Sequence, residues 1–155
     1  LTLVGPIMDG KGPGARSAWV DDSIERLDLR ERVTLVGRVD PEAARIAIRE
    51  HDVLVLPSHK EGFPNVIVEA MEAGLPVVAT RVGAVPEIMR DGVDGFVVDV
   101  GDVDALEDRL RRLEADPEAR RKMGAAGRER AAALYSVEAV ASQWTALYRR
   151  AVSGR

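Results

Sequence analysis

Residues 61–78 read EGFPNVIVEAMEAGLPVV. Pro64 suits the first position of a helix, because its φ is already helical and the N–H it lacks would have no partner there. Val66, Ile67, Ala70 and Met71 then recur at helical spacing. Gly74 stands where a left-handed residue closes a helix, and Pro76 follows two residues later. The stretch predicts a helix over 64–73, entered through a turn that Gly62 frees and left into a short apolar strand.

Outward from this helix the same alternation repeats. Five β-rich runs read as strands: LTLV at 1–4, VTLV at 33–36, VLVL at 53–56, VVAT at 77–80 and FVVD at 96–99. They are nearly continuous apolar runs, the pattern of strands buried on both faces of a parallel sheet. Helical patterns fall between them at 15–27, 41–50, 64–73 and 85–90. Strand and helix alternating at this spacing predict βαβ units and an α/β, Rossmann-like, doubly wound parallel sheet. After Asp99 the strands stop, and three helices follow: one capped by Asp102 to about 115, one opened by Pro117 to about 134, and one from Ser136 to about 152.

The chemistry concentrates at the start of the 64–73 helix. Unpaired N–H groups and the helix dipole favour an anion there. Glu61 precedes that point, and Glu69 lies roughly 7 Å along the axis at ~1.5 Å per residue. The two carboxylates therefore address opposite sides of a phosphate held at the helix start. Each can accept two hydrogen bonds from a vicinal diol. A ligand hydroxylated at both ends and anionic in its middle, such as a sugar-nucleotide, meets these demands. The spacing alone leaves ordinary surface glutamates equally open, although Glu69 stands inside the apolar stretch VIV-E-AM, at the edge of the helix's apolar stripe.

The whole string EGFPNVIVEAMEAGLPVVAT resembles the donor-binding signature of retaining glycosyltransferases of family 4, the group 1 enzymes with the GT-B fold. LTLVG, VTLVG, VLVLPS, PVVAT and GFVV match the strands of their C-terminal, donor-binding domain from its second strand onward. The resemblance covers essentially the whole chain. It implies that Glu61 binds sugar hydroxyls as the catalytic-site carboxylate and that the backbone of Gly62 and Phe63 approaches the sugar. It further implies that Asn65 and Val66 offer N–H groups to the diphosphate and that Glu69 takes the ribose. In the loop after Val36, Gly37 and Arg38 stand where relatives hold the base, though Gly37 also reads as a simple turn residue. The implied activity is hexose transfer from a nucleoside diphosphate sugar, a donor substrate rather than a cofactor, to a hydroxyl acceptor, without a bound metal.

A start at Leu1 directly in a strand suggests an excised piece, residues 1–155 being a truncated donor-binding domain. The acceptor would then be bound by an absent N-terminal domain, and the piece alone would be inactive. The family's order places the first, absent strand in the middle of the sheet. Its loss predicts that the chain re-pairs its strands or self-associates to borrow one. Two rival readings remain: a stand-alone nucleotide-sugar-binding module, and a glycosidase using Glu61 and Glu69. The glycosidase fits poorly, since its carboxylates should face each other across a cleft rather than share one turn-helix unit.

Composition narrows the setting. With 155 residues, 46% hydrophobic and 31% charged, the chain holds one globular core. It has no cysteine, so disulfides and thiolate metal sites are excluded, and His51 and His59 cannot build a His-rich site. A net charge of −4 argues against a generic nucleic-acid surface. Basic residues between Arg109 and Arg130 interleave with acidic ones and predict a solvated helix face. No run of about 18 apolar residues and no leader is present, so a cytoplasmic setting is expected.

Four features are set aside. GPIMDGKG at 5–12 is a near P-loop without its closing Ser or Thr. Asp102-Val103-Asp104 imitates a metal-binding pair but opens a helix. His59 and Lys60 read as a solvated loop, and Trp144 and Tyr148, four apart, as packing residues.

Overall fold

The computed structural model describes residues 1–5 and 18–153, which fall into two compact units, Leu1–Ile46 and Ala47–Arg155. The near P-loop beyond Gly5 and the predicted start of the first helix lie outside the described residues. In the first unit β1 (Thr2–Val4) pairs in parallel with β2 (Thr34–Gly37), and α1 (Ala18–Arg26) connects them. Helix α2 (Pro41–Arg49) follows, its first turn capped by Asp40 Oδ1, which accepts from Ala43 N at 2.9 Å.

The second unit is built on a parallel sheet in the order β3 (Leu54–Leu56), β4 (Val77–Thr80), β5 (Gly95–Val98). Helix α3 (Asn65–Ala73) links β3 to β4, and the single turn α4 (Val85–Ile88) links β4 to β5. Helices α5 (Val103–Ala115), α6 (Pro117–Tyr135) and α7 (Val137–Ser153) complete it. Side chains alternate across the sheet and divide its core in two. Val77, Ala79 and Val97 face one way, onto Ile67, Met71 and Ile88 of α3 and α4. Val78 and Phe96 face the other way, onto Leu113 of α5 and Met123 of α6. Helices on both faces of a parallel sheet are the doubly wound α/β arrangement predicted.

Burial on both faces holds for β4 and β5, every residue of which is buried, but not for the first sheet. Exposure alternates along β2, and Val4 and Val36 are exposed. A two-stranded sheet has two edges and no centre, so none of its residues gains the cover that β4 receives from neighbours on either side. The expected re-pairing of strands does not occur either: among the described residues β1 pairs with β2 alone and β3 with β4 alone. Each parallel pair is fixed by the crossover helix between its strands, and changing partners would break that unit.

Three arginines correct the expectation of a merely solvated basic face. Arg128 donates to Ala73 O at 2.6 Å and Glu72 O at 3.1 Å, taking up carbonyls at the end of α3. Arg130 does the same for α4 through Ile88 O and Glu87 O, both at 2.7 Å, and Arg120 for α5 through Leu113 O and Glu114 O. These last carbonyls have no partner inside their own helices, and a cation there also complements the dipole. Arg111, Arg121 and Lys122 do form the predicted exposed pairs, with Glu107 and Glu118. Trp144 and Tyr148 stack at 5.9 Å between ring centroids, yet they are 54% and 63% exposed, so they pack on each other rather than into the core.

Helix α6 crosses the end of α3 closely enough that a Cβ on Gly124 would lie 1.9 Å from Gly74 O, which is backbone and cannot step aside. At Gly127 a Cβ would meet Met71 Cγ at 3.4 Å, ordinary contact. Alanine in a helix is favoured over glycine by ~1 kcal/mol, so the two sites should respond with opposite signs. Gly124→Ala should lower stability by about 2 kcal/mol or more in urea unfolding, while Gly127→Ala should leave it unchanged or raise it. Equal effects would show that α6 does not approach α3 as described.

Candidate functional site

Helix α3 fixes the site at both of its ends. At its close, Gly74 adopts φ 81°, its N–H reaches Met71 O at 2.9 Å, and Leu75 N reaches Ala70 O at 2.9 Å. These are the paired bonds of a Schellman motif, and only a left-handed residue makes them easily. At its start, Pro64 is extended and supplies no side-chain cap. Ile67 N turns back to Pro64 O at 3.0 Å, which leaves the N–H groups of Asn65 and Val66 at the open end of the helix. Asn65 is exposed there and Val66 half-buried. The first turn carries no acidic residue to neutralise the dipole.

The two glutamates differ in their surroundings. Glu61, half-buried in the loop before α3, accepts from Ser58 Oγ through Oε1 at 2.7 Å. Its Oε2 has no partner among the described residues. Glu69 is half-buried on α3 and has neither hydrogen bond nor ion pair among the described residues. An ionised carboxylate in that condition retains its full capacity to accept from a diol. Phe63 is 50% exposed between them in sequence, with its ring edge-on to Tyr135 at 5.8 Å. Glu61, Gly62, Phe63, Asn65, Val66 and Glu69 thus gather on one loop and the helix it enters. In the first unit Gly37 ends β2 and Arg38 follows it; Gly37 adopts φ 77° and its carbonyl accepts from Gly5 N at 2.8 Å. Among the described residues no group of three His, Asp or Glu side chains converges as metal ligands. Asp102 accepts from Ala105 N at 2.9 Å, which is helix capping.

A family model described as Glycosyl transferases group 1 matches residues 1–130. The chain belongs to the group 1 glycosyl transferases. It is 36% identical over 156 residues to D-inositol 3-phosphate glycosyltransferase of Thermobifida fusca, an alignment covering 97% of this chain and 35% of that protein. Among solved structures it is similar to sucrose-phosphate synthase of Thermosynechococcus elongatus, with a TM-score of 0.85 and 34% identity over 99% of this chain and 39% of that one. It is also similar to HepE of Anabaena in complex with UDP-glucose, with a TM-score of 0.83 and 25% identity over 96% of this chain and 40% of that one. These neighbours have the GT-B fold that the resemblance implied. The chain spans about a third of the length of the curated relatives it matches.

In this glycosyl transferase chain Gly62 does not play the part expected of it in freeing the turn. Gly62 does not adopt a positive φ, and a Cβ there would meet nothing within 4 Å. The freedom is used instead at Gly83, which reads in the sequence as an ordinary turn. It adopts φ 49°, and a Cβ would lie 2.3 Å from Glu61 O and 2.5 Å from Gly62 O. Beside it Ala84 N donates to Gly62 O at 2.9 Å. The loop after β4 is therefore the floor beneath the Glu61 loop, and glycine is what lets the two backbones touch. No local signal could have shown this, since the contact joins residues more than twenty positions apart. Gly83→Ala should cost about 1–3 kcal/mol in chemical denaturation and shift the amide resonances of Glu61 and Gly62. An alanine variant with unchanged stability and unchanged loop resonances would refute the contact.

Proposed function

We propose that this chain is the donor-binding half of a retaining glycosyltransferase that moves a hexose from a nucleoside diphosphate sugar to a hydroxyl acceptor. The carrying observation is the uncapped start of α3, flanked by Glu61 and the half-buried Glu69, which among the described residues leave one carboxylate oxygen of Glu61 and both of Glu69 without a partner. In this reading Glu61 receives the sugar hydroxyls, with the backbone of Gly62 and Phe63 alongside. The N–H groups of Asn65 and Val66 receive the diphosphate, and Glu69 receives the ribose. The setting is the cytoplasm, and the acceptor is bound outside the 155 residues, so this chain alone binds donor without turning it over.

The chemistry follows from where charge develops. As the bond from sugar to phosphate breaks, negative charge grows on the departing diphosphate. Fixed N–H donors and the positive end of α3 stabilise that charge more than they stabilise the intact donor, which lowers the barrier. The acceptor oxygen approaches the face from which the diphosphate leaves, so the anomeric configuration is retained. Glu61 orients the ring rather than attacking it, because its free oxygen is committed to hydroxyls. The UDP-glucose complex of the similar protein HepE supports a uridine donor as the first to try.

Titration with UDP-, GDP- and ADP-sugars should reveal saturable binding of one of them. Glu69→Gln should weaken both that donor and its free nucleoside diphosphate about tenfold or more, since it loses a charge-assisted hydrogen-bond acceptor. Glu61→Gln should weaken the sugar-linked donor and spare the free diphosphate. Identical losses in both variants would reject the assignment of the two ends.

A further inference from the structure

The Glu61 carboxylate is held by the hydroxyl of Ser58, whose own backbone carbonyl is anchored by a buried threonine. Thr80, the last residue of β4, is buried, and its Oγ1 lies 2.5 Å from Ser58 O and 3.4 Å from Leu56 O. A hydroxyl has one proton, and the distances assign it to Ser58. Ser58, half-buried, in turn spends its own proton on Glu61 Oε1 at 2.7 Å. The backbone of the same loop is fixed independently from below by Gly83 and Ala84. Both the root and the head of the Glu61 side chain are therefore held, while Oε2 remains free among the described residues.

A glutamate has several rotatable bonds, and an unheld one must give up that freedom when it captures a ligand. We infer that Ser58, anchored by the buried Thr80, is the positioning residue for Glu61. It orders the carboxylate before the donor arrives, so that Oε2 and the remaining lone pairs meet a sugar hydroxyl. Ser58 acts through Glu61 and touches no reacting atom. This role rests on the reading of Glu61 as the sugar-binding carboxylate.

The test uses the 155-residue chain with UDP and UDP-glucose as probes, together with ligand-free crystal structures. Ser58→Ala should weaken UDP-glucose by about three- to tenfold, the share of one charge-assisted hydrogen bond, and leave UDP within about twofold. Ser58→Thr, which keeps the hydroxyl, should restore the wild-type preference for UDP-glucose over UDP. Without ligand, Glu61 should occupy more than one rotamer in Ser58→Ala and a single one in Ser58→Thr. Equal weakening of UDP and UDP-glucose would show a general structural role and overturn the inference, as would unchanged UDP-glucose binding. If the wild-type chain takes neither probe, the uridine donor fails while the positioning claim stands on the crystal structures. There, an unmoved Glu61 in Ser58→Ala overturns it.

Discussion

The close approach of α6 to the end of α3 is the contact on which the rest of the second unit depends. Gly124 lies against the carbonyl of Gly74, and Arg128 takes the carbonyls of Glu72 and Ala73. Together with the left-handed Gly74 they fix where α3 ends and along which line it runs. A helix is stiff, so fixing its end also fixes its start. The open N–H groups of Asn65 and Val66, and the distance from that start to Glu69, follow from a contact at the opposite end of the helix.

A second constraint acts on the loop that enters α3. Gly83 and Ala84 support the peptide groups of Glu61 and Gly62, Ser58 reaches the carboxylate itself, and Thr80 anchors the Ser58 carbonyl. Ser58 follows β3, and the other supports come from the end of β4 and the loop beyond it, β4 itself being completely buried between neighbours on both sides. Buried β4 is thus the rigid base of an exposed loop. Precision in that loop is bought by the core beneath it, where Asp94 ties the turn before β5 to Arg90. This carboxylate is fully buried and accepts from the backbone and guanidinium of Arg90 at 2.6–3.0 Å. Losing one partner of such a pair is far more costly than the pair's net contribution.

Much of this was legible in the sequence because it is written in local rules. Pro64, the apolar spacing and Gly74 place α3 to within a residue, and Asp102, Pro117 and Ser136 mark the starts of the three last helices. The glutamate pair was legible for the same reason. What escaped was set by distant partners. Nothing around Gly83 or Arg128 announces a loop or a helix end elsewhere in the chain, and Gly62 looked conformationally necessary when it was not. Trp144 and Tyr148 do pack as their spacing predicts, on each other, but spacing cannot say whether a core surface exists to receive them.

In the proposed function the start of α3 receives the diphosphate between two carboxylates that measure out sugar and ribose. A crystal structure of the chain with its nucleoside diphosphate sugar tests it most directly. Phosphate oxygens should lie within about 2.7–3.2 Å of the N–H groups of Asn65 and Val66, with sugar hydroxyls at Glu61 and ribose hydroxyls at Glu69. A diphosphate bound away from the helix start, or a donor lying in the reverse direction, would contradict it.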